Sequence, residues 1–455
     1  MNLTCFKEYD IRGELDVNFD GNICYRIGAG LPQVLRSGNF VLGWDARESS
    51  PALANSVAEG LKISGANVLD IGVSGTEEMY WAVNEFDACG GIQVTASHNP
   101  INFNGLKIVK SGAEPLDFST EYQKLKTLVE SNLFLQPTVL GVRRNVSRQA
   151  RAAYVKKVLS FVEIAKIEPL TVVINSGHGA AGPTFDAISK ELSKRGCCIK
   201  FICVQNKPDH TFPNGIPNPM LSDNHAATGQ VVVKKRADFG VSFDGDFDRC
   251  AIFDEKGKYI NGEYVIGLLV KYFLEQSPSA RIVHDQRVIW NIEDIIKSGG
   301  GTAFVSETGH TNFKRKLRET DAIYGGEISH HHYFKDFARS DSGMIPWLII
   351  AQVLSAAKKS LSDLVSACIE KFPSSGEHNF VVREPTVAIA AVAKHYEKYA
   401  INLDYSDGLS VSFKDWRFNI RQSKTESLLR LNVEGRGNAG IVATKLAEIS
   451  KILKN

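Results

Sequence analysis

Apolar residues recur along the chain in a repeating order: a short run, a helix-spaced stripe, then a second short run. Phe40-Val41-Leu42-Gly43-Trp44 predicts a strand, and Ser50 followed by Pro51 predicts a helix with a serine cap and proline at its first position. Leu53, Val57 and Leu61 keep helical spacing up to Gly65, and Asn67-Val68-Leu69-Asp70-Ile71 predicts the next strand. The order returns at Leu170 to Ile174, a Gly-rich turn, a helix opened by Pro183 and closed by Gly196, and Cys198 to Ile202. It returns again at Arg281 to His284, a helix around Ile292 to Ile296, Gly299-Gly300-Gly301, and Thr302 to Val305. Strand-helix-strand units at such wide intervals predict a triplicated α/β domain with mixed, largely parallel sheets, because the period far exceeds that of a solenoid. After Pro373-Ser374-Ser375-Gly376, read as a hinge, a strand near Phe380, a helix from Val387 to Tyr396, close strands from Leu409 to Val433 and a last helix predict a smaller α+β domain. The expected domains are residues 1–145, 146–254, 255–372 and 373–455. No low-complexity linker separates them, so packing around a shared cleft is expected.

Charge and cysteine content narrow the partners. Lys and Arg number 53 against 51 Asp and Glu, a formal +2 over 455 residues, which gives no strong field toward nucleic acid or an anionic membrane. No run approaches the roughly 18 apolar residues that a membrane helix needs, and Met1 to Lys7 lacks an apolar signal core. A soluble, cytoplasmic protein follows as the expectation. The eight cysteines show neither Cys-x-x-Cys spacing nor a short secreted framework, so reduced thiols are expected. Nothing in the sequence decides between monomer and dimer.

Candidate chemistry gathers in four places. Gly90 to Val94 runs into Thr95-Ala96-Ser97-His98-Asn99-Pro100, which puts a serine hydroxyl at a strand-to-turn junction with an imidazole beside it. Asp244-Gly245-Asp246-Phe247-Asp248-Arg249 sets three carboxylates at alternate positions; in an extended backbone they would share one side and welcome a cation, although an acidic solvated turn fits the same spacing. A calcium-binding EF-hand fails because Arg249 stands where its glycine belongs. Few protein oxygens with open positions favour Mg²⁺ shared with a phosphoryl group. Gly325-Gly326-Glu327-Ile328-Ser329-His330-His331-His332 suits a polyhydroxyl ligand, with His330 and His332 read as solvated loop residues. Arg421-Gln422-Ser423-Lys424-Thr425-Glu426-Ser427 is a basic turn between strands, either an anion cradle or an ordinary hairpin tip. Gly177-His178-Gly179-Ala180-Ala181-Gly182 matches a dinucleotide fingerprint, but no acidic residue follows the next strand, so it is read as a structural turn.

In combination, and with Lys7-Glu8-Tyr9-Asp10-Ile11-Arg12-Gly13, Phe212 to Pro219 and Asn104-Gly105-Leu106-Lys107 in the same order, the chain resembles the α-D-phosphohexomutases nearly end to end. That resemblance implies four domains, the first three alike. It implies that Ser97 is phosphorylated and that Asp244, Asp246 and Asp248 hold Mg²⁺ against its phosphate. Arg12, Lys107, His98 and Arg249 would surround the reacting group. Tyr9, His310, Glu327, Ser329 and His331 would meet the sugar, and Arg421, Ser423, Lys424 and Thr425 the remote phosphate. The implied activity is interconversion of mannose 6-phosphate and mannose 1-phosphate, primed by a hexose 1,6-bisphosphate and feeding GDP-mannose to surface polysaccharide. A phosphoglucomutase or dual-specificity hexomutase is the near alternative; a phosphosugar phosphatase and an inactive phosphosugar-binding protein are the others. Departures from the family pattern are Lys424 and Ser427 in the remote-phosphate loop, Glu307 for a lysine, His330 for a small residue and Gln286 for a proline.

Overall fold

A computed structural model describes residues 3–8, 10–135, 137–423 and 428–454. The chain divides into two compact units, one built from residues 1–259 and 331–358 and the other from 260–330 and 359–455.

In the first unit the apolar runs become central strands. Asn39–Trp44 pairs in parallel with Asn67–Val73 on one side and Gly90–Val94 on the other, and Phe103–Lys110 then returns antiparallel to Gly90–Val94. The second module repeats this order: Thr171–Asn175 lies between Lys200–Val204 and Phe239–Phe243, both parallel, and Cys250–Phe253 returns antiparallel. Parallel neighbours require crossovers, which the helices Ser50–Ile63 and Ala181–Lys194 supply. Helix Ser50–Ile63 turns Ala54, Val57, Ala58 and Leu61 inward, the spacing of one helical face. Its expected cap is shifted by one residue. Ser49 precedes the helix, and the Ser50 hydroxyl instead donates to Asp45 Oδ1 at 2.6 Å. The eight cysteines are all free thiols.

In the second unit Arg281–Asp285 lies between Thr302–Ser306 and Tyr324–Gly326, both parallel, which is the same order a third time. The C-terminal sheet is fully antiparallel, in the order Ser374–Phe380, Leu429–Gly435, Trp416–Gln422, Leu409–Ser412, Asn402–Asp404. The residues expected to form a hinge are part of that sheet. Ser374 pairs with Glu434, and a bulge before Glu377 absorbs Ser375 and Gly376, whose φ of 70° suits glycine. Among the described residues no helix is long and apolar enough to cross a membrane.

Glu263, in the first turn of helix Gly262–Gln276, is buried, and burial pushes its carboxyl up to about 7 from an ordinary value of 4.5. A raised folded-state value means that its contribution to stability is present below the unfolded value and lost as pH rises through about 7. Glu263→Gln is therefore expected to flatten a loss of roughly 2–3 kcal/mol between pH 5 and pH 8, read by denaturant unfolding at each pH.

Candidate active site

Ser97 stands just past the C-terminal end of Gly90–Val94, buried and with a left-handed φ of 50°. Its hydroxyl donates to Asp244 Oδ2 at 2.8 Å and lies 3.1 Å from His98 Nδ1, while its N–H donates to Thr95 Oγ1 at 2.8 Å. Burial, reinforced by Arg249 and Arg12, holds the His98 imidazole well below its usual range and therefore neutral. Arg12 donates to the Ala96 carbonyl at 3.2 Å and to the Asn99 side chain, and is itself paired with Asp10 at 2.9 Å.

The acidic run behaves differently from an extended strand. Phe239–Phe243 ends before Asp244, and Phe247 adopts a φ of 47° with its ring buried, so a tight turn is what makes the carboxylates converge. All three are buried, and one oxygen from each lies within 4.8 Å of the others. Lys107 Nζ donates to Asp246 Oδ2 at 2.7 Å and to Asp248, and Thr76 donates to Asp246. Arg249 Nε approaches Asp244 Oδ2 at 3.7 Å. Burial followed by repulsion from Asp248 and Asp246 pushes Asp244 up to about 7. For Asp246 burial acts upward as well, but Lys107, Thr76 and Arg12 outweigh it and hold the carboxyl below its ordinary range. Asp246 Oδ1 and Asp248 Oδ1 are buried without a hydrogen-bond partner among the described residues. Two orphaned carboxylate oxygens beside a serine hydroxyl fit a small divalent cation with open positions.

His331 lies in this unit, its Nδ1 2.8 Å from Asp341 Oδ2 and 3.9 Å from Asp248 Oδ1. The expectation of solvated histidines on either side is wrong. His332 opens the strand His332–Phe334, paired with Ser340–Asp341, His330 sits in a turn with φ 65°, and both rings are fully buried.

The second unit gathers the polar groups of the other two motifs. Glu327 Oε1 accepts from the Gly309 N–H at 3.0 Å, immediately before His310 opens its helix. Fully buried Arg287 pairs with Asp285 at 2.6 Å and Glu377 at 3.2 Å, and reaches Glu327 at 3.6 Å and the Ser329 hydroxyl at 3.4 Å. Arg421 is the penultimate residue of strand Trp416–Gln422 and is buried, and its Nε has no hydrogen-bond partner among the described residues. Ser423 closes the hairpin by donating its N–H to the Leu428 carbonyl at 2.8 Å. Thr308 binds Asp407 Oδ2 through both its N–H, at 2.9 Å, and its hydroxyl, at 2.8 Å. Gln286 bonds the Ser406 hydroxyl. Tyr9, Lys424 and Thr425 lie outside the described residues.

Family models for the phosphoglucomutase/phosphomannomutase α/β/α domains I, II and III match residues 4–135, 152–257 and 261–372. The chain is 47% identical to a phosphomannomutase of Salmonella montevideo over 100% of both chains. It belongs to the phosphoglucomutase/phosphomannomutase family. This makes it an enzyme of the α-D-phosphohexomutase class, as the motifs suggest. A protein named for phosphohexose mutases from Xanthomonas campestris pv. campestris B100 is 44% identical, again over 100% of both. The crystal structure of a family protein from Burkholderia thailandensis superposes with a TM-score of 0.86 at 26% identity, covering 100% of this chain and 98% of that one.

The fold thus brings Ser97, His98, Arg12, Lys107, Arg249, His331 and the three aspartates of this family member together in one unit, and Glu327, Ser329, His310, Arg421 and Ser423 into the other. Sequence reasoning missed Asp45, Arg47, Arg287 and Glu377. The one signal available was the Asp45-Ala46-Arg47 triplet at the end of a predicted parallel strand, where polar residues face ligands in α/β sheets.

A Cβ on Gly245 would sit 2.6 Å from the Ser97 carbonyl oxygen, so only glycine lets the acidic loop approach the serine this closely. Gly245→Ala should lower stability by about 1–3 kcal/mol in denaturant unfolding. An unchanged midpoint would show that the two loops can separate freely.

Proposed function

We propose that the protein is a phosphomannomutase that interconverts mannose 6-phosphate and mannose 1-phosphate through a phosphorylated Ser97 and a hexose 1,6-bisphosphate. The observation that carries this reading is the Ser97 hydroxyl held 2.8 Å from a buried acidic triplet that has unpaired oxygens. Asp244, Asp246 and Asp248, with the phosphate on Ser97, would hold Mg²⁺, which when bound neutralises charge on the moving phosphoryl group. Lys107, Arg12 and Arg249 supply the remaining positive charge, and His98 stands beside the nucleophile. In each half-reaction the bond between Ser97 Oγ and phosphorus breaks or forms, a sugar oxygen takes or gives the group, and the hydroxyl proton moves the opposite way.

One serine must serve both ends of the sugar, so the ligand has to be gripped in either direction. Glu327 and Ser329, with Tyr9, His310 and His331, are the sugar-binding set in this reading. Arg421 and Ser423, with Lys424 and Thr425, take the phosphate that is not reacting; an arginine with an unused donor suits an anion. Boundaries after residues 145, 254 and 372 belong to the same reading. A cytoplasmic location and supply of GDP-mannose for surface polysaccharide complete it. Mannose and glucose phosphates differ only at the C2 hydroxyl, a modest contact difference, so glucose 1-phosphate is expected as a second substrate.

With Mg²⁺ and a catalytic amount of glucose 1,6-bisphosphate, the two mannose phosphates should interconvert. Intact mass should show one phosphoryl group that Ser97→Ala lacks. Free phosphate without isomer would instead indicate a phosphatase. Sugar phosphate that raises the melting temperature without turnover would indicate a binding protein.

A further inference from the structure

The Ser97 turn presents a problem that the acidic triplet does not solve. Between the strands Gly90–Val94 and Phe103–Lys110, the carbonyl oxygens of Ser97, Asn99, Pro100 and Phe103 converge on one point. Four aligned dipoles repel, and a left-handed φ at a non-glycine residue persists only where its surroundings hold it. The group at the focus is the guanidinium of Arg47. Its Nη1 donates to Pro100 at 2.9 Å and Phe103 at 3.1 Å, and its Nη2 to Ser97 at 3.0 Å and Asn99 at 2.6 Å.

Arg47 is 2% exposed, with every terminal N–H aimed at the backbone and its Nε 3.4 Å from Asp45 Oδ2. Asp45 ties the same loop a second time: it accepts from the Thr95 hydroxyl at 2.7 Å, and Thr95 Oγ1 receives the Ser97 N–H. Arg12 is used differently. It touches Ala96 and Asn99 from a more exposed side chain paired with Asp10. Arg47 is too buried and too fully engaged to meet a sugar phosphate.

We propose that Arg47 is a positioning residue that locks the serine turn so that the Ser97 hydroxyl stays aimed at Asp244 in both directions of transfer; this rests on the phosphoserine reading above. The planar fork is essential. A lysine ammonium offers three donors from one point and cannot span four carbonyls. A misplacement of about 1 Å at a reacting atom can cost about 100-fold in rate.

The test compares wild type with Arg47→Lys and Arg47→Gln, in the full chain with Mg²⁺. Turnover of mannose 1-phosphate should fall about 100-fold in both variants while KM changes by less than about 3-fold, because binding groups are untouched. Guanidinium ion at millimolar concentration should partly restore a smaller variant, Arg47→Ala, where methylammonium does not. Amide hydrogen exchange of the unliganded protein should rise within residues 96–103 and stay unchanged elsewhere. That readout needs no activity. If wild type proves inactive while Arg47→Lys still loosens the turn, the mutase reading fails and the clamp stands. Wild-type kcat in Arg47→Lys, equal changes in kcat and KM, or a general loss of protection across the first unit would each overturn the clamp.

Discussion

Burying three carboxylates within one turn is the constraint on which the polar centre of the first unit depends. Asp244, Asp246 and Asp248 are withdrawn from water with one ammonium, Lys107, in direct contact and Arg249 at longer range. Buried like charges cannot all remain ionised without compensation: Lys107 outweighs burial and holds Asp246 low, while burial and the neighbouring carboxylates drive Asp244 up. A divalent ion would relieve that conflict, and Ser97 is the group placed to share it.

Triplication explains how such a centre is assembled. The Ser97 turn follows Gly90–Val94, the acidic turn follows Phe239–Phe243 and the Glu327 turn follows Tyr324–Gly326. Each of these strands is a parallel neighbour of the strand that lies between two parallel partners in its module: Asn39–Trp44, Thr171–Asn175 and Arg281–Asp285. The three chemically different loops therefore occupy one topological position, at the carboxyl end of a parallel strand, where open α/β sheets bind ligands. Within the first unit, two copies of that position meet directly: Gly245 lies against the Ser97 backbone, and Thr76 and Lys107 of the first module reach Asp246 of the second.

The parts legible in the sequence were those whose chemistry is contiguous. Ser97 with His98, and the three aspartates with Arg249, each lie within a few residues, and the helical and strand periods around them carried the module order. Contacts made only by the return of distant chain were not legible. Arg47 clamps a turn some fifty residues ahead of it, and Arg287 is held between Asp285 and Glu377, which stands ninety residues further along the chain. The aspartates converge by a turn, where alternation in an extended chain was expected, because buried Phe247 takes a left-handed conformation that periodicity cannot reveal. His330 and His332 read as polar loop residues because a local pattern cannot show that the folded chain will bury them. The apparent hinge at Pro373 to Gly376 read as loop from its composition, yet its backbone pairs with Leu429–Gly435 across a bulge.

The claim that the acidic triplet is a divalent-cation centre can be measured without substrate. Calorimetric titration of the full-length protein with Mg²⁺ should give a saturable isotherm of one ion per chain, lost in Asp246→Asn and Asp248→Asn variants that keep the wild-type melting temperature without metal. Absence of saturable binding, or an isotherm that both substitutions leave unchanged, would contradict the account.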